Sequence, residues 1–175
     1  MEATSNGKNR ANPDQIIVGI LRDVHEGDTF ERIPEHVTLL HWFSLKGEYQ
    51  RAFENALMNK MHYSSPLELV GDRRQELGPN EDIPATVLQV GSLASFHFMA
   101  YGLVKRFDGV VHSEYVGKDY LPHVSDTETY QFEIGQTHSL ESVQIVSMNR
   151  ETGQRKIEKV LSLNGGKHGA PTSRH

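Results

Sequence analysis

Apolar positions in this chain alternate between short β-branched runs and two stretches at helical spacing. Gln15–Leu21 (QIIVGIL) is a continuous apolar run, the pattern of a strand buried on both faces. His36–Phe43 (HVTLLHWF), entered through Pro34 and Glu35, predicts a second strand. Tyr49, Phe53, Ala56, Leu57 and Met61 then recur along one face of a helix over Gly47–Met61, which Ser64, Ser65 and Pro66 stop. Leu67–Val70 and Ala85–Val90 (ATVLQV) predict two further strands, with a turn-rich connection over Gly71–Asp82. A second helical stripe covers Leu93–Phe107 and ends at Asp108–Gly109. Tyr120–Ser125 (YLPHVS) predicts a strand that starts beside a proline. Ser139–Met148 and Lys156–Leu163 predict the arms of a closing hairpin, with Gly153 in its turn. Residues 1–14 are expected to form a flexible arm and residues 164–175 a disordered tail. The order β, β, α, β, β, α, β, β, β with short connections predicts the α+β class, an antiparallel sheet with its helices outside.

At 175 residues the chain is the size of a single domain, here 15–163. Its formal net charge of −5 does not suit a nonspecific nucleic-acid coat, which needs clustered Lys and Arg. With no cysteine it has no disulfide, thiolate nucleophile or Cys-based metal site. No apolar run approaches the roughly 20 residues of a membrane span, and residues 1–14 lack the apolar centre of a signal peptide. A cytoplasmic, monomeric protein with no membrane association is the expectation.

The ten histidines change the picture more than the charge does. Two lie in strand-like segments with matching neighbours: Pro34-Glu-His36-Val-Thr38 and Leu121-Pro-His123-Val-Ser125. Alternate side chains of a strand share a face, so His36 and Thr38 point the same way about 6.6 Å apart, as do His123 and Ser125. Val37 and Val124 then face the core. Two such strands across a groove would assemble two imidazoles and two hydroxyls, which is equipment for phosphodiester chemistry. The hydroxyls donate to non-bridging oxygens, one imidazole takes a proton from the attacking group, and the other protonates the leaving oxygen. A third match, His62-Tyr-Ser64, sits at a helix end and has no such context. The helical His-x-x-x-His and His-Glu-x-x-His spacings of zinc sites are absent, and so are P-loop and Rossmann fingerprints. No metal ligand set and no cofactor is expected.

Over roughly residues 15–163 the chain resembles the 2H phosphoesterase superfamily, defined by two His-x-Thr/Ser motifs and including RNA 2′,3′-cyclic phosphodiesterases called 2′-5′ RNA ligases. The resemblance rests on QIIVGIL, HVTL with its following helix, YLPHVS and the closing ESVQIVSM segment. It implies a bilobal, duplicated fold in which two antiparallel sheets line a central groove. It implies His36 and His123 as the catalytic pair, with Thr38 and Ser125 holding phosphate. One departure stands out: Asp126 follows the second motif where the family usually has an apolar residue, and would set negative charge beside a phosphate site.

The implied substrate is a 2′,3′-cyclic phosphate at an RNA end or on a small nucleotide, with His123 favoured as base and His36 as acid. Alternatives within the superfamily are a 2′-5′ phosphodiesterase or ligase and a cyclic-oligonucleotide hydrolase. A catalytically silent module binding an RNA end or nucleotide is the alternative outside enzymology, kept in view by Asp126. Trp42, Tyr120 and Tyr130 are the candidates for base stacking, each competing with a packing role. Strict alternation turns His41 away from His36 and makes it structural, and His97 on a helix stripe is expected to be a satisfied core histidine.

Overall fold

The computed structural model describes residues 14–163. The arm over 1–13 and the tail over 164–175 lie outside the described residues. Ten strands and two long helices follow in chain order: β1 (Gln15–Ile20), β2 (Thr29–Phe30), β3 (His36–Ser44), α1 (Gly47–His62), β4 (Leu67–Leu77), β5 (Ile83–Leu88), α2 (Gly91–Arg106), β6 (Val110–Val111), β7 (His123–Ser125), β8 (Thr137–Leu140), β9 (Ser142–Met148) and β10 (Arg155–Ser162). A short 3-10 turn, Gly117–Asp119, precedes β7.

The fold is α+β, as the pattern predicts, and every strand pairing is antiparallel. One half-sheet runs β2-β10-β9-β1-β3 and the other β7-β5-β4-β8. The two are joined where β3 meets β7 through the single register pair Val37↔Val124. Both valines are fully buried, so the seam between the halves is dry on its core side.

Three segments differ from the sequence reading, each for a local reason. β4 runs on to Leu77 through Asp72-Arg73-Arg74-Gln75-Glu76, where the sequence predicts only a turn-rich connection. Its partner β5 pairs with it residue for residue from Arg73↔Val87 to Leu77↔Ile83. Residues 72–76 are exposed, so the hairpin extends without leaving an apolar alternation to read. The expected strand Ser139–Met148 is two strands: Leu140 pairs with Leu67 in one half-sheet, while Ser142 pairs with Ser162 in the other. Only three residues of the expected Tyr120–Ser125 strand are ladder-paired, because the segment leaves the 3-10 turn at Tyr120.

Both helices match their stripes. Phe53, Leu57 and Met61 are the buried positions of α1, and the Phe43 and Phe53 rings meet at 5.5 Å. Each such side chain contributes about 1.5–3 kcal/mol on burial. α1 stops where the Ser64 hydroxyl and amide donate to the Lys60 and Met61 carbonyls just before Pro66. α2 buries Leu93, Phe96, His97, Ala100, Leu103 and Val104 and packs on β3 and β4.

Gly71 shows how closely the second half-sheet is packed. Its amide donates to Gln136 O and its carbonyl accepts from Gly135 N, at 3.0 and 2.9 Å. A Cβ here would lie 2.1 Å from the Glu133 carbonyl oxygen. Gly71→Ala is therefore expected to cost at least about 1–3 kcal/mol, read as a lowered denaturation midpoint with an unchanged m-value.

Candidate active site

The site is built on the seam. Antiparallel pairing of Val37 with Val124 sets Thr38 opposite His123 and His36 opposite Ser125. With the valines turned into the core, all four polar side chains fall on the other face. Each histidine is oriented in the same way. The His36 Nδ1–H donates to the Pro34 carbonyl two residues back at 2.7 Å, and the His123 Nδ1–H donates to the Leu121 carbonyl at 2.9 Å. This backbone contact sets the tautomer and leaves Nε2 of each ring for chemistry. Neither the Thr38 nor the Ser125 hydroxyl has a protein partner among the described residues, so each can donate to a ligand.

Burial pushes the His36 pKa below the ordinary histidine value, partly countered by the Pro34 carbonyl and reinforced by repulsion from His123. His36 is thus held neutral at pH 7. A neutral Nε2 lone pair can accept a proton.

Strict alternation fails in β3, and with it the expectation that His41 faces away from His36. The register against β1 slips twice, from Val18↔Thr38 to Ile17↔Leu40 and then to Gln15↔Phe43. These bulges insert residues on β3 alone. Leu39 and Leu40 consequently both enter the core, and His41 and Trp42 both remain half-buried on the opposite side. His41 lines a cavity of about 360 Å³ together with His123 and Ser125. Burial, then repulsion from His123, His97 and His36, lowers its pKa to about 4.

Two side chains hold the bulge. The Tyr120 hydroxyl donates to Thr38 O at 3.0 Å. His97 Nε2 accepts from the Gly117 amide at 2.8 Å, so its proton sits on Nδ1 and is donated to Leu39 O at 2.8 Å. The two rings are stacked, 4.0 Å apart and 1° from parallel. His97 is thus a satisfied core histidine, and it also ties the first motif to the turn leading into the second.

The structure gives each stacking candidate a packing partner. Tyr120 is 8% exposed and spent on Thr38 and His97, and burial raises its phenol pKa. Trp42 packs on the cluster of Ile16, Val18, Ile20, Val146 and Ile157. Tyr130 packs against the main core, and its hydroxyl accepts from Gln136 Nε2 at 3.3 Å. The exposed aromatic at the site is Tyr115, in a loop with no periodicity to flag it. Asp126 does not burden the phosphate site. It falls on the Val124 side of its strand, where Arg74 grips its carboxylate at 2.8 and 2.5 Å and also donates to Thr86 Oγ1.

Three depressed histidines predict that the fold loses stability in acid. The unfolded chain binds protons near pH 6.5 where folded His36, His41 and His97 do not. Stability is therefore fully present above about pH 6.5 and falls as pH drops towards 4. His41 alone, lowered from 6.5 to about 4, accounts for on the order of 3 kcal/mol. Denaturant midpoints measured from pH 7.5 to 4.5 should fall, and His41→Gln should flatten that slope.

No family model and no curated protein matches the sequence. Solved structures do match. A phosphoesterase is similar over 86% of this chain and 98% of its own, with a TM-score of 0.58 at 12% identity. Escherichia coli LigT complexed with 3′-AMP gives the same coverage, TM-score and identity. TT0787 of Thermus thermophilus aligns over 89% of this chain and all of its own, at a TM-score of 0.55 and 12% identity. The chain has the LigT fold. Among the described residues no three His, Asp or Glu side chains gather as a metal site, and no helix is long and apolar enough to cross a membrane.

Proposed function

We propose that the protein is a metal-independent phosphodiesterase of the 2H type that opens 2′,3′-cyclic phosphates at RNA ends or on nucleotides. The observation that carries this reading is the matched pair of motifs at the seam, each histidine oriented through Nδ1 by the carbonyl two residues back.

In this mechanism His36 Nε2 removes a proton from water, and the water oxygen attacks phosphorus. The bond from phosphorus to the 3′ oxygen breaks as the His123 Nε2–H protonates that oxygen. The products are a 2′-phosphomonoester and a free 3′ hydroxyl. Thr38 and Ser125 donate to the non-bridging oxygens, where charge grows in the transition state. The alternative of a silent binding module is raised by Asp126, which is paired with Arg74.

The test is incubation with the four nucleoside 2′,3′-cyclic monophosphates and a short RNA ending in a cyclic phosphate, in excess EDTA. The expected product is the 2′-phosphate by phosphorus NMR. Loss of turnover in EDTA, or a 3′-phosphate product, would overturn the mechanism. The profile of kcat/KM against pH should be bell-shaped. Its acidic limb should lie below the ordinary histidine value near 6.5, because the base must be neutral and burial lowers its pKa. Both limbs belong to the coupled pair.

A further inference from the structure

The cavity beside His123 and Ser125 has a character that phosphate chemistry does not use. It is lined by Leu77, Pro79, Ile83 and Leu121 together with Tyr115 and His41. Tyr115 is 53% and Ile83 43% exposed, a large apolar surface left open to water at the reaction centre. His41 and Tyr115 lie 6.2 Å apart between ring centroids, and no protein group bonds either ring nitrogen of His41 among the described residues. Glu114 also lines it and is exposed, and nothing in the described structure pairs its carboxylate. His36 and Thr38 do not line this cavity, so it extends from the centre on the His123 side only.

We propose that this cavity binds the nucleobase of the substrate and that Glu114 biases it towards guanine. The inference rests on the phosphodiesterase reading and deepens it. A mostly apolar cavity of about 360 Å³ adjoining the proposed phosphate site suits a planar heterocycle joined to that phosphate by a ribose. Aromatic and aliphatic walls receive the ring faces of any base. Discrimination comes from the polar groups. A carboxylate is an acceptor only, and guanine alone among the four bases offers it two adjacent N–H donors, on N1 and N2. Neutral His41 can donate one ring N–H to a carbonyl such as guanine O6. The same carboxylate repels the carbonyl edge of uracil.

The experiment compares kcat/KM for the four nucleoside 2′,3′-cyclic monophosphates in wild type, Glu114→Gln, Tyr115→Ala and Ile83→Ser. Wild type should favour the guanine substrate by about 5- to 150-fold, the range of a good bidentate base contact. Glu114→Gln should erase most of that preference, lowering kcat/KM far more for the guanine substrate than for the adenine one. Tyr115→Ala and Ile83→Ser should raise KM for every base without lowering kcat. Equal kcat/KM for all four bases would overturn the guanine assignment while leaving the phosphodiesterase reading intact.

A titration independent of turnover separates the two. The Ile83 and Leu121 methyl resonances are followed while guanosine, adenosine and cytidine 2′-monophosphates are added. Shifts at both methyls, largest at limiting guanosine nucleotide and lost in Tyr115→Ala, would support the subsite even if no cyclic phosphate were hydrolysed. Unmoved methyls would refute it even if all four were.

Discussion

His36→Ala is expected to lower kcat/KM for a 2′,3′-cyclic nucleotide by about 10²- to 10⁴-fold, and His123→Ala by a similar factor, which is about 3–5 kcal/mol of barrier each. The losses should not add. Base and acid act in one transition state, and once either is gone the other has little left to assist. The His36→Ala/His123→Ala double variant should therefore be only slightly slower than the worse single variant. The folded state should survive both changes. Each ring makes one hydrogen bond to a local carbonyl, and the valines between them hold the seam. The single variants also assign the roles. Loss of the acidic limb in His36→Ala would identify it as the base, and loss of the basic limb would reverse the assignment.

A second large effect is expected at a residue remote from phosphate. His97→Phe retains a ring against Tyr120 but removes both hydrogen bonds, leaving the Leu39 carbonyl and the Gly117 amide without the partners seen here. The Leu39 carbonyl is buried and the Gly117 amide part-buried; one unsatisfied buried group costs about 1–3 kcal/mol, and stability should fall by at least that much. If His97 also positions the two motifs, kcat should fall while KM changes little. The activity of His97→Gln, measured where the variant is fully folded, should recover part of the loss, because an amide can donate to one group and accept from the other. A drop in stability with kcat unchanged would make His97 a core residue and nothing more.

Much of this site is legible in the residues because its logic is local. Alternation alone places His36 with Thr38 and His123 with Ser125. The stripe of α2 points to His97 as a buried imidazole. What alternation does not reveal is the slip in β3. Leu39 and Leu40 are equally apolar on paper, and only the slip between Val18↔Thr38 and Ile17↔Leu40 shows that both turn inward. The slip carries His41 to the site and changes what Trp42 touches. Tyr115 and the Leu77–Ile83 turn are hidden for another reason: they come from loops and an exposed hairpin whose place is set by the second half-sheet. The role of Asp126 depends equally on tertiary structure, since Arg74 lies on a different strand.

The order of the strands has a consequence for how the molecule is made. The half-sheet of β4, β5, β7 and β8 comes from one continuous stretch, 67–140. The other begins with β1 and is completed only by β9 and β10, so that Ile20 bonds Gln144 across 124 residues. A growing chain can therefore pair the later half while β1, buried along its whole length in the finished fold, still has an open edge. Closing so distant a contact is slow, and an uncovered apolar strand is a template for wrong partners. Refolding yield should thus fall with protein concentration, and the last amides to gain protection from exchange should be those of β1 and β9.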